Sequence, residues 1–469
     1  MKRSLLILAL GVTLFATSCT KSTTVEPPTS TSTDVSGDIS ANTTWTADKI
    51  YTLKGFVYVT NGATLTIEPG TIIKGDKASK GTLVITRGAK INATGTVDKP
   101  IVFTSSFAAG TRASGDWGGI ILLGKAPVNQ AGAVQIEGGL DAKGDAAKYI
   151  QYGGTDAADN SGTLKYVRIE YAGIPFSPDN EINGLTMGGV GTGTTLDYIE
   201  VYRSGDDAFE WFGGTVNAKH LLAIGSQDDD FDTDFGFAGK VQFGLAQRYN
   251  TLADVSGSNA FESDNDASGS DLLPQTSAVF ANMTAIGPWI GTSTPNVSAN
   301  HQHAAQIRRN SSISILNSIF SGFAQGIYID DSKVVTPKST STNYTAGRLV
   351  FTNNIVYASK TNETKGENLS LFDALLRASN TFSTTLFGSE LMTNPFKYSS
   401  DFANAGTPDF TVKAGSIAET GATINNAKIA DAFFEKVAYR GAFGSTNWAS
   451  GWANFDPQVM AYTTPGAVK

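Results

Sequence analysis

Ser204-Gly205-Asp206-Asp207-Ala208-Phe209-Glu210 is followed by Ser226-Gln227-Asp228-Asp229-Asp230-Phe231-Asp232, and then by Ser256-Gly257-Ser258-Asn259-Ala260-Phe261-Glu262. The three stretches share one pattern: Ser, any residue, a polar or acidic residue, Asp or Asn, any residue, Phe, a carboxylate. The second copy starts 22 residues after the first and the third starts 30 after the second. A period of about 22 is one coil of a right-handed parallel β-helix, with three short strands and their turns, and the longer step is one coil plus a loop. In such a solenoid equivalent positions stack, so Phe209, Phe231 and Phe261 are expected as an interior ladder. The alternative, chance likeness among short acidic turns, predicts no stacking.

The flanking chain has the same texture. Phe56-Val57-Tyr58-Val59, Leu83-Val84-Ile85, Ile101-Val102-Phe103, Val167-Arg168-Ile169, Tyr198-Ile199-Glu200-Val201 and Ile313-Ser314-Ile315-Leu316 are short, β-branched segments, and the 50 glycines supply frequent turns. Helical periodicity is confined to Leu369–Ala378 and Ile429–Val437. The fold expected is all-β: a single-stranded right-handed parallel β-helix over residues 44–400. A capping region, 401–469, is expected to carry one or two short helices. Trp448 and Trp452 are expected to close the C-terminal end, since solenoids need caps.

The N-terminus reads as an export signal, residues 1–18: basic Lys2 and Arg3, an apolar run from Leu5 to Phe15, then Ala16-Thr17-Ser18-Cys19. The run is too short to span a bilayer. The arrangement resembles the lipobox of bacterial lipoproteins, which implies lipid attachment at Cys19, the chain's only cysteine. Ordinary cleavage near Ser18, leaving a free thiol, is the alternative. Residues 19–43 are rich in Ser, Thr and Pro and read as a flexible tether. No disulfide can form within such a chain, so the fold depends on its core. Formal charge is −8, or −10 once Lys2 and Arg3 leave with the signal, which argues against nucleic acid and against electrostatic adhesion to anionic lipid.

Further motifs carry a family likeness: Leu65-Thr66-Ile67-Glu68-Pro69-Gly70-Thr71-Ile72-Ile73, Gly115-Asp116-Trp117-Gly118-Gly119-Ile120, Tyr166-Val167-Arg168-Ile169-Glu170-Tyr171, Asn183-Gly184-Leu185 and Gly441-Ala442-Phe443-Gly444. Together they resemble a family of exported β-helix lipoproteins from Bacteroidetes-type bacteria. The resemblance implies a lipid-anchored outer-membrane protein, on either the surface or the periplasmic side, associated with TonB-dependent outer-membrane transport. It implies no particular chemistry.

The acidic repeat is where chemistry is expected. Neighbouring coils lie about 4.8 Å apart, which would set Asp206 over Asp228, Asp207 over Asp229 over Asn259, and Glu210 over Asp232 over Glu262. Two unit charges at about 5 Å repel by roughly 3 kcal/mol at an effective dielectric near 20. The columns therefore need a cation, raised pKa values, or hydrogen bonds from turn amides. Calcium suits such hard oxygen donors, with Asp207, Asp229 and Asp232 as candidate ligands. Asp264-Asn265-Asp266-Ala267-Ser268-Gly269-Ser270-Asp271 resembles the first half of a calcium loop and adds Asp264, Asp266 and Asp271, although Gln275 stands where the distal Glu should be. His301 and His303 share a strand face with no third His near them, a weak basis for a nitrogen-ligated metal.

Three functions compete. Capture of an extended ligand such as a polysaccharide would use the acidic face with Trp211, Arg248 and Arg308; Trp117, Phe212, Trp289, Trp448 and Trp452 are further aromatic candidates. An enzyme would use Asp206, Asp207, Asp228 and Asp229. Arg203-Ser204-Gly205-Asp206-Asp207 locally resembles the Gly-Asp-Asp turn of β-helical polygalacturonases, which implies paired acid and base, yet the Asn-Thr-Asp and Gly-His-Gly motifs of that family are missing. A lyase would pair calcium with a basic residue such as Arg248, Arg308 or Arg309. A structural or adhesion module would have no ligand site.

Overall fold

The computed structural model describes residues 32–177, 180–291, 294–333, 339–358, 363–385, 387–396 and 408–469. Cys19, the export signal and the boundary expected at 400/401 lie outside the described residues. Among the described residues, twenty-six strands form one continuous parallel sheet that winds into a right-handed β-helix with three faces. One face runs through Ile50, Ile72, Val102, Arg168, Glu200, Leu222, Leu245, Thr284, Ile319 and Ile355, each strand parallel to the one before. A second runs through Leu83, Ile120, Leu185, Phe209, Phe231 and Phe261. The third includes Leu65, Ile91, Leu164, Leu196, Ala218, Val241, Phe280 and Ile315.

The predicted ladder is present. Phe209, Phe231 and Phe261 pair in register and stack at ring separations of 5.8 and 5.0 Å, fully buried. Strand alternation then decides the neighbours. Trp211 points inward, packed on Phe209, Phe237 and Phe280, while Glu210, Asp232 and Glu262 share the outward side. The coils begin earlier than expected: Ser32–Ile39, assigned to the tether, is a strand parallel to Ile50–Val59. The last strand of the stack is Thr381–Ser383, paired with Ile355–Ala358.

From strand Gly162–Glu170 onward, the corner joining the third face to the first is a single left-handed residue: Tyr166, Tyr198, His220, Phe243, Asn282, Asn317 and Asn353, with φ between 51° and 63°. Asn tolerates this region and large aromatic residues rarely enter it. Here the rings are held by one another, with Tyr166 on Tyr198 at 4.4 Å, Tyr198 on His220 at 4.1 Å and His220 on Phe243 at 5.4 Å.

The C-terminal segment corrects one expectation. Trp448 and Trp452 do not close the solenoid's end; they lie along its side, edge-on to this aromatic column. Residues 408–469 form a strap running back across the coils. Asn317 exchanges hydrogen bonds with Thr423, Gln242 with Glu435, and Arg168 donates to the Val468 carbonyl at 2.6 Å. The open end is covered by helix Leu369–Ser379, predicted from its periodicity, whose Phe372 and Leu376 enter the core with partial cover from Tyr344 of helix Thr340–Thr345. The expected helix at Ile429–Val437 is absent; only a 3-10 turn, Ala427–Ile429, forms there. The apolar residues of that stretch serve instead as side contacts, with Ile429 and Phe434 packing on Ala281 and Leu316.

Candidate functional site

The acidic repeats converge on a cleft of about 910 Å³. Its wall is built by two devices. Register stacks the outward residues, Glu210 beside Asp232 beside Glu262. The turn preceding each of these strands adds an inter-coil ladder, in which each side chain accepts the backbone N–H of the next coil. Asn183 accepts from Asp207 at 3.2 Å, Asp207 from Asp229 at 2.7 Å, Asp229 from Asn259 at 2.5 Å, and Asn259 from His303 at 3.0 Å. Asp206 and Asp228 flank this ladder on the cleft side. Within the turns and their equivalents in earlier coils, Gly115, Gly173 and Gly205 stack so tightly that a Cβ on Gly205 would lie 2.5 Å from the Gly173 carbonyl oxygen and 2.9 Å from the Gly115 nitrogen. Glycine here permits the close approach of three coils.

Loops complete the cleft. Glu137 comes from the excursion between Leu123 and Gly162, Glu181 from the antiparallel pair Pro175–Ser177 and Asn180–Glu181, and Asp254 from the loop after Arg248. Cationic side chains among the lining residues are Lys77, bonded to Asp116 at 3.1 Å, and Arg308, which pairs with Glu262 and, at 3.0 Å, with Asp264. The wall is therefore strongly acidic and largely buried: Asp207 is 6 % exposed, Glu210 7 % and Asp229 4 %. Burial first, and then the surrounding carboxylates, push Asp206, Asp207, Glu210 and Asp229 well above the usual carboxylate range. Burial and Asp254 push Asp228 up to about 6, and burial and Asp264 push Asp232 up to about 7, with nearby arginines pulling against both shifts.

Two donor sets stand out. Asp206, Asp207 and Asp228 each offer an oxygen within 4.8 Å of the others, as do Asp207, Glu210 and Asp232. Asp207 belongs to both, Asp232 to one, and the expected ligand Asp229 to neither. Turn amides satisfy one oxygen of Asp207 and one of Asp229, so part of the charge expected from stacking is met by backbone donors. Among the described residues, the Oδ1 atoms of Asp228 and Asp232 are buried without a hydrogen-bond partner.

The other expected residues fare differently. Trp211 is no sugar platform, because alternation turns it into the core. Trp117, Phe212, Trp289 and Trp452 are also buried, so these aromatics do not line the cleft. Arg248 is enclosed behind the wall, bonded to Asp230 at 2.7 Å and to the carbonyls of Ser226 and Asn259, and cannot meet a ligand. Arg308 does line the cleft. Asp264 is taken up by Arg308 and Arg309. Asp266 and Asp271 join neither donor set. The Asp266 carboxylate accepts from Ser268 and Ser270 of its own loop, and Asp271 lines a separate 280 Å³ pocket. His301 and His303 are buried in hydrogen bonds to the Tyr249 carbonyl and to Asn259. Asn183, one coil before Asp207, carries the only coil-spacing signal among the residues missed by sequence reasoning. Glu137, Glu181 and Asp254 lie on insertions that no period marks.

The family described as the pectate-lyase-like β-helix domain matches residues 37–394. The chain belongs to that family. Among curated proteins none matches the sequence. Among solved structures, this pectate-lyase-like β-helix is similar to the catalytic domain of a GH87 α-1,3-glucanase in complex with nigerose, at 10 % identity over 77 % of this chain and 69 % of that chain, with a TM-score of 0.27. A substituted form of such a domain in complex with tetrasaccharides gives 9 % identity over the same shares and a TM-score of 0.26.

Proposed function

We propose that this β-helix protein captures an extended, oxygen-rich ligand of the polysaccharide class in its acidic cleft, through a hard divalent cation of the calcium type held by Asp207 and its neighbours. The observation that carries the reading is the pair of donor sets sharing Asp207, with all oxygens of each set within 4.8 Å. Oxygens bound to one calcium at about 2.3–2.6 Å lie no more than about 5 Å apart, which fits these sets. A bound cation would also answer the repulsion that the buried carboxylates otherwise relieve by keeping protons.

A second reading, glycoside hydrolase or polysaccharide lyase, is favoured by Asp228 and Asp232, whose carboxyls are pushed to about 6 and about 7, a range in which a general acid keeps its proton at working pH. Export, lipid attachment at Cys19, outer-membrane residence and service beside a TonB-dependent transporter belong to the same proposal. They rest on the lipobox-like stretch and on the motif resemblance.

The test is a screen of neutral and acidic polysaccharides with the mature protein, with calcium and with chelator. Calcium-dependent binding without product, lost in Asp207→Ala and Asp229→Ala, is expected. Product release abolished by the same substitutions would replace capture with catalysis. No binding under either condition would leave a structural module. Loss of lipid labelling in Cys19→Ala checks the anchor.

A further inference from the structure

A second cluster of buried charge lies beneath the C-terminal strap. Arg168 and Glu170 belong to strand Gly162–Glu170, and Glu200 sits opposite Arg168 on strand Thr195–Tyr202. Their neighbours Val167, Ile169 and Val201 face the core, so alternation turns the three charged residues outward. Even so, Arg168 is 2 % exposed and both glutamates are 0 % exposed. The strap is what covers them. Arg168 donates to the carbonyls of Trp452 and Val468 and to the Tyr462 hydroxyl; that hydroxyl donates to Glu170 at 2.8 Å, and the Asn454 N–H donates to Glu200 at 2.8 Å.

The charges do not balance around Glu200. Arg168 approaches Glu170 at 3.4 Å, and Glu200 must share the same guanidinium; among the described residues the second oxygen of each, Oε2 of Glu170 and Oε1 of Glu200, is buried without a hydrogen-bond partner. The other charged or titratable groups nearby are Tyr202 on its own strand, Asp456 and Tyr462 on the strap, Arg203 facing Asp456, and Arg112, which stacks on the Tyr462 ring at 4.9 Å. Burial raises both carboxyls: Glu170 is opposed by Arg168, the Tyr462 hydroxyl and Arg112, whereas Glu200, opposed by Arg168 and the Asn454 N–H and raised further by Glu170, is pushed up to about 8.

We propose that this cluster is a proton-linked latch: docked, Glu200 keeps its proton while Glu170 pairs with Arg168, and ionisation of Glu200 loosens strap residues 448–469 from the coils. Release would expose Glu200 to water and return it towards its ordinary value of 4.5. The docked form thus binds more protons between that value and about 8. Docking weakens as pH rises through this window, by at most about tenfold per pH unit, and is level above it. The strap crosses many coils that otherwise contact only their neighbours, so the latch couples proton activity to the stiffness of the solenoid wall.

Hydrogen exchange of the whole mature protein, corrected for the intrinsic pH dependence of amide exchange, tests this. Strap peptides covering 448–469 should open increasingly from pH 5 to pH 8, while peptides from strand Thr82–Ile85, which packs away from the strap, serve as an internal reference. Glu200→Gln, which cannot ionise, should hold the strap opening constant across that range. Glu170→Gln frees Arg168 for Glu200 and should move the transition to lower pH. A flat wild-type profile, a slope that survives in Glu200→Gln, or an unmoved transition in Glu170→Gln would each overturn the latch.

Discussion

Asp207→Asn separates a cation site from an ordinary turn, because the two readings give opposite signs. Asparagine keeps the Oδ1 acceptor that receives the Asp229 N–H at 2.7 Å, so the ladder survives and only the charge is lost. Donor oxygens of Asp206, Asp228, Glu210 and Asp232 lie within 4.8 Å of an Asp207 oxygen, where each like pair repels by roughly 3 kcal/mol at an effective dielectric near 20. Retained protons already relieve most of that, leaving about 1–2 kcal/mol to be gained on neutralisation. For a chain of 469 residues, unfolding entropy of about 2 cal/mol/K per residue converts this into a rise of about 1–2 °C in the Tm of the chelator-treated variant. Calcium at about a hundred times its Kd should stabilise the wild type by about 2.7 kcal/mol, near 3 °C, and the variant by little. Scanning calorimetry of both proteins in chelator and in millimolar calcium reads all four values. A variant with a lower Tm in chelator and an undiminished response to calcium would refute the argument and leave Asp207 a turn residue alone.

Further predictions concern the same wall and the core behind it. In chelator, stability should fall as pH rises from about 4 to 7, because the folded chain holds protons on Asp228 and Asp232 at about 6 and about 7 while the unfolded chain releases them earlier; denaturant melts across pH measure this. Calcium affinity by titration calorimetry should rise over the same interval, with protons released on binding. Phe231→Ala, at the centre of the interior ladder, should cost about 3–5 kcal/mol in denaturant unfolding. Gly205→Ala pushes a methyl against the Gly173 carbonyl and should cost about 1–3 kcal/mol and reshape the cleft, read as weakened calcium binding in a folded protein.

The repeat made the coils legible because a stacked solenoid converts sequence period directly into spatial register. Phe209, Phe231 and Phe261 met as expected, and so did Glu210, Asp232 and Glu262. Reading the aromatic residues failed where alternation was ignored: Trp211 is two residues from Phe209 and shares its inward face, one residue from the acid that points outward. In the turn at 264–271 sequence alone does not separate ligand from partner, because serine and aspartate serve equally well as cation ligands and as partners for each other. The strap reads as an end cap in sequence because its tryptophans carry no mark of the coils they meet.

Local chemistry along the chain was enough to determine the β-helix, its interior phenylalanine column and the stacking of carboxylates on one side, since each depends on spacing within a coil or between adjacent coils. Tertiary structure alone decided which loops wall the cleft, that Arg248 lies behind the acids and Arg308 among them, and that the chain's last sixty or so residues lie along the flank over Arg168 and Glu200. Those contacts join residues hundreds of positions apart, and no period in the chain encodes a meeting that only the path of the backbone brings about.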